Sequence, residues 1–170
     1  MIELYWKSSQ NLINAMEVYL KIINIDNTMN NIISNIERLN HMKYMRLDSK
    51  SLYMNTDMEL FRLEIEKNNT TEEKKSLLNQ LNISTLQSIL NALELTVISI
   101  DSKDNDGIEF GIKSLESIYN FIYKDEIKNS IQLTAILSNI LDTESKLSKS
   151  NNLKLKSELQ GVIIKYKTII

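Results

Sequence analysis

The chain has no cysteine, no proline and only three glycines in 170 residues. Without cysteine there are no disulfides and no thiolate-bound zinc or iron–sulfur cluster. A single histidine, His41, excludes a multi-histidine metal site within one subunit. Ordinary proline usage of about 5 % would place roughly eight prolines in this length. Loops are where proline and glycine collect, so the shortage of both predicts long helices joined by short connections. The same shortage leaves no phosphate-cradling glycine loop, and no G-x-G-x-x-G, H-E-x-x-H or G-x-S-x-G motif occurs. The N-terminal stretch lacks a basic region followed by an unbroken apolar run, and no window approaches 18 uncharged apolar residues. These features predict an intracellular, cytoplasmic protein without a membrane segment.

What the chain does contain is 25 Ile, 23 Leu, 20 Asn, 18 Ser and 17 Lys, against three each of Ala and Arg. Ile, Asn and Lys in place of Ala, Gly, Pro and Arg is the bias of an AT-rich genome, which fits a viral or mobile-element protein. Asparagine is a poor helix former, so the helices must draw their stability from burial. With 42 % hydrophobic and 25 % charged residues and a net charge of −2, the composition is globular, and the length predicts one domain over 1–170.

Apolar residues at three- and four-residue steps predict a helix over about 3–24 (Tyr5, Leu12, Met16, Leu20, Ile23) and a second from Asn27 to about Arg46 (Met29, Ile32, Ile36, Leu39). Thr56 with Glu59, Thr70 with Glu73 and Ser84 with Gln87 have capping-box spacing, so three further helices are expected to start there. Residues 68–71 read as a loop, and 57–66 also alternate with strand periodicity. Leu86, Ile89, Leu90, Leu93, Val97 and Ile100 form the most continuous apolar stripe, marking a central helix. Helices from about 108, 125 and 152 follow, with a β-hairpin across 95–112 as the competing local reading around Asp106-Gly107. The expectation is an all-α compact bundle of about seven helices.

Candidate sites are sparse. The segment from Asp101 to Gly107 has alternating carboxylates, but in a calcium-loop register Lys113 falls where a bidentate Glu is required, so capping of the next helix is the expected role. Arg38 and His41 invite comparison with the arginine-to-histidine motif of helical ribonucleases of the HEPN kind. Only two residues separate them, fewer than that motif has, and the activity is not carried over. Lys43, Arg46 and Lys50, interleaved with Tyr44 and Tyr53, and the C-terminal Lys149, Lys154 and Lys156 are the candidate nucleic-acid contacts. Residues 57–109 hold eleven acidic against five basic residues, whereas 143–170 hold two against six. Tyr5 and Trp6 are the candidate interface anchors, since aromatic residues supply much of the energy of protein interfaces.

These features predict a non-enzymatic interaction module that binds a protein partner or itself, with no cofactor, no metal and no evident small-molecule substrate. It would serve as a small accessory or structural subunit, or as a viral or mobile-element protein that binds and neutralises another. The alternative is a helical subunit of a nucleoprotein complex binding nucleic-acid backbone through its lysines. In size and helical character the chain resembles the small subunits of CRISPR effector complexes, and at the level of fold a viral bundle of the Bcl-2 kind.

Overall fold

The computed structural model describes residues 2–45, 50–124, 127 and 131–170, and the side chains of these except 45, 50–54 and 124. Five α-helices account for most of them: α1 (Ile2–Met45), α2 (Lys50–Asp101), α3 (Asn105–Lys124), α4 (Leu137–Lys146) and α5 (Leu153–Ile169). Two short 3-10 turns, Leu133–Ile136 and Leu147–Lys149, flank α4. The all-α class holds, but the count is five rather than about seven. No strand occurs among the described residues, and both 57–66 and 95–100 are helical.

The difference in count lies in α1 and α2, which are 44 and 52 residues long and absorb the predicted breaks at 26–27 and 68–71. Side-chain hydrogen bonding explains why the capping signals misled. Thr28 donates to the Asn24 carbonyl (3.0 Å), Thr70 to Glu66 (2.7 Å) and Thr71 to Lys67 (2.9 Å). Each hydroxyl is satisfied one turn back within a continuous helix, and Thr70 in particular does not cap a new one. The start expected at about Asp125 lies outside the described residues; Ile131 and Gln132 are not helical, and α4 begins at Leu137 after the 3-10 turn.

The chain divides into two compact units. The first comprises residues 1–17 and 80–170. Its core is built on the 80–101 stretch of α2, where Leu81, Ile89, Leu93, Leu95 and Ile100 are buried beside a row of small residues, Thr85, Ser88, Ala92, Thr96 and Ser99. That row lets neighbouring backbones approach closely. Ser8 of α1 and Ser88 exchange hydrogen bonds, each hydroxyl donating to the other's carbonyl at 2.9 and 2.6 Å. Gly107 and Gly111 of α3 sit where a Cβ would fall 2.1 Å from Ser99 Oγ and Thr96 Oγ1 respectively. On the other side of α3, buried Tyr166 of α5 donates to the Leu115 carbonyl at 2.6 Å and meets Tyr119 edge-on at 5.7 Å. Burial holds the Tyr166 hydroxyl well above the usual tyrosine range, with the Tyr119 charge adding to the shift and a hydrogen bond opposing it.

The second unit, residues 18–79, is an antiparallel hairpin of α1 and α2. Val18, Ile22, Ile25, Met29, Ile32, Ile36, Leu39 and Lys43 follow alternating four- and three-residue steps, and every one is buried or half-buried. On α2 the matching series is Thr56, Leu60, Leu63, Lys67, Thr70, Lys74 and Leu77. A mean step of about 3.5 residues is the pattern of a coiled-coil seam. Two ion pairs cross it, Lys43 with Asp57 and Lys74 with Asp26. Seventeen residues back along α1, from Lys43 to Asp26, match seventeen forward along α2, from Asp57 to Lys74, which fixes the register.

Candidate functional site

In the first unit, the N-terminal part of α1 carries apolar side chains that its own fold leaves uncovered. Ile2, Trp6, Ile13 and Met16 share one helix face and are 67, 66, 48 and 41 % exposed. Their positions, with Ser9 between, follow the same four–three stepping as a buried seam. Tyr5 points elsewhere. It is half-buried, with its ring 5.0 Å from that of Phe110 on α3. Of the two predicted anchors, Trp6 is therefore exposed and Tyr5 is a packing residue.

Beside this row, between α1 and α3, lies a cavity of about 180 Å³ lined by Ile13, Met16, Leu12 and Tyr5 on one side and by Lys113, Ser114, Ser117 and Ile118 on the other. The Ser114 hydroxyl is buried and finds no hydrogen-bond partner among the described residues. A second cavity, of about 470 Å³, separates α2 from α4 and is bounded by Gln87, Asn91, Glu94, Asn139 and Asp142 with Leu90, Leu93 and Val97. Its amide Asn91 accepts a hydrogen bond from Gln87 at 3.3 Å.

The loop singled out for its carboxylates has structural duties. Lys103 adopts a left-handed conformation with φ 56°, and Asp104 N donates to the Ser99 carbonyl at 2.8 Å, closing the end of α2. Asp104 then caps α3 by accepting from Gly107 N at 3.2 Å. Asp101 pairs with Lys146 at 3.0 Å and Lys149 at 3.7 Å. The Lys146 hydrogen bond holds the Asp101 carboxyl below its ordinary value. No cluster of three His, Asp or Glu side chains suited to a metal forms among the described residues.

Of the predicted nucleic-acid contacts, Lys43 belongs to the second unit and Lys149, Lys154 and Lys156 to the first. Lys43 lies in the hairpin seam against Asp57, and Lys149 faces Asp101. Lys154 and Lys156 sit in the first turn of α5, which Asn152 caps by accepting from the Lys154 and Leu155 amides. The Arg46 residue and the Lys50 side chain lie outside the described residues. Arg38 and His41 are both exposed on α1 of the second unit. The stretch Asn55–Asp101 is long and apolar enough to cross a membrane by length and composition, but 56 % of its most apolar window is buried within the protein, as in a core helix.

Among the described residues the protein is all-helical, and its exposed apolar row lies on a helix face. Comparison with family models, curated proteins and solved structures returned no match.

Proposed function

We propose that the chain is a non-enzymatic interaction module, an accessory subunit or a protein that binds and neutralises another, and that the α1 row Ile2, Trp6, Ile13 and Met16 is its docking face. The observation that carries this reading is the exposure of four apolar side chains, one of them tryptophan, at seam spacing. Covering such a row removes apolar surface from water at about 25 cal/mol per Å², and tryptophan is among the residue types that dominate interface energy. The adjoining cavity between α1 and α3 offers a recess for an apolar anchor, in the manner of an amphipathic helix laid in a groove. Glu3, Lys7, Gln10 and Glu17 border the row with mixed charge, which sets orientation more than affinity. The partner is thus a protein presenting an amphipathic helix.

Trp6 is the sole tryptophan, so its fluorescence reports on this face without labelling. Capture from cells of the source, with wild-type protein and the Trp6→Glu, Ile13→Glu double variant as baits, should recover a protein with wild type only. Adding that protein should shift Trp6 emission to shorter wavelength. A partner held equally by both baits, or none held by either, overturns the assignment of this face. The nucleoprotein alternative has less support, because Lys43 and Lys149 already face carboxylates. Its signature would be nucleic-acid affinity that falls with salt.

A further inference from the structure

The hairpin of the second unit has a surface row that the docking face on α1 does not involve. Along α2, Phe61, Glu64, Asn68, Thr71, Lys75 and Leu78 follow steps of three, four, three, four and three residues. They lie one flank round from the buried series, with Phe61 70 % exposed, Leu78 half-buried and the four between them exposed. From one end the order is apolar, acidic, amide, hydroxyl, basic, apolar. Laid antiparallel on a copy of itself, the row matches at every position: Phe61 meets Leu78, Glu64 meets Lys75 and Asn68 meets Thr71.

We propose that two copies of this chain associate through this row, α2 against α2 about a two-fold axis between Asn68 and Thr71. The charges favour a second copy over an unrelated occupant. Among the described residues, Glu64 takes no part in the ion pairs of its own helix, which join Arg62 to Glu59 and Glu66 and Lys75 to Glu72. The exposed Glu72 pair is worth little and yields readily to a better acceptor. In the symmetric pair, Glu64 of each copy faces Lys75 of the other, making two contacts for one sequence feature. The hairpin register places Ile23 of α1, 38 % exposed, beside Leu77 and Leu78, so the apolar end that receives Phe61 is broader than one side chain.

The row spans about 27 Å at 1.5 Å per residue, and two helices side by side present a face about 20 Å wide. That corresponds to roughly 500 Å² from each copy and roughly 1,000 Å² in all, at the low end of specific interfaces. The association is accordingly a weak, concentration-dependent dimer that tightens at low salt.

Sedimentation velocity of the full chain over a wide concentration range, at low and moderate salt, tests this. Wild type should pass from monomer to dimer. Glu64→Lys and Lys75→Glu should each weaken the dimer by roughly tenfold, because each sets like charges together twice. The Glu64→Lys, Lys75→Glu double variant should restore it, an outcome that misfolding cannot produce. Helical content by circular dichroism should be unchanged in all three. A chain that stays monomeric at every concentration overturns the proposal, as does a dimer indifferent to both single reversals, which would place self-association on another face. Loss of the dimer in Trp6→Glu with retention in Glu64→Lys would assign it to the α1 row instead, so failure here leaves the docking face on α1 separately testable.

Discussion

At the scale of single residues, the three glycines divide by what surrounds them. Gly107 and Gly111 are needed for the close approach of α3 to Ser99 and Thr96, whereas a Cβ on Gly161 would meet nothing within 4 Å. Gly111→Ala should therefore cost about 1–3 kcal/mol through displaced backbone, and Gly161→Ala should gain about 0.5–1 kcal/mol from helix propensity. Chemical denaturation of the two variants beside wild type checks both signs. Tyr166 gives a pH dependence whose direction follows from its burial. The folded state keeps the phenol protonated above the ordinary value near 10, so the unfolded chain releases its proton first. The stabilisation is complete below about pH 10 and falls as pH rises beyond it. In Tyr166→Phe that component of the alkaline decline should disappear, at a cost near neutrality of about 0.5–1.5 kcal/mol for the lost hydrogen bond to Leu115. None of this was legible in the sequence, because Leu115 and Tyr166 are 51 positions apart, and the approach of Gly107 to Ser99 and of Gly111 to Thr96 exists only once α3 has folded back on α2.

At the scale of elements, the stripes were legible and the breaks were not. The row from Leu86 to Ile100 lies in the stretch richest in buried residues, and the helix start at Asn152 is where its side chain caps α5. Both follow from local chemistry, the period of burial in one case and an Asx cap in the other. Asn-Asn-Thr-Thr at 68–71 failed as a loop signal because the same polar side chains that favour turns can bond one turn back along a helix. The seam on either side supplies the tertiary support that outweighs poor intrinsic propensity. Continuity of α2 at this point has a sharp consequence for substitution. Asn69→Pro should cost about 3 kcal/mol or more and lower the helical signal in circular dichroism, whereas a loop there would accept it with little change. Of the candidate site residues, Trp6 was found by residue type alone. The row it belongs to was missed because the α1 positions were read as a single stripe, and two stripes share that helix.

Across the whole molecule, the two units differ in how their helices are held. The first buries Ile, Leu and Val beside small residues on a central helix, while the second sets an Ile-rich row of α1 against Thr and Lys positions of α2. The lysine stems at 67 and 74 cover part of the seam but keep their ammonium groups near water. Amide hydrogen exchange should accordingly be slower over 85–100 than over 56–74, with the hairpin opening at lower free energy. Equal protection of the two stretches would show that the thin seam is not the weaker part. The ion pairs of the hairpin also act as a coincidence check on alignment. A seven-residue slip preserves the apolar repeat and so passes a test of hydrophobicity alone. Slipped one way, Asp26 would still find a lysine, at 67, but Lys43 would face Lys50. Slipped the other way, Lys43 would find Glu64, but Asp26 would face Leu81. Only the observed alignment satisfies both pairs at once, so two surface charges per helix give a repetitive sequence a unique address.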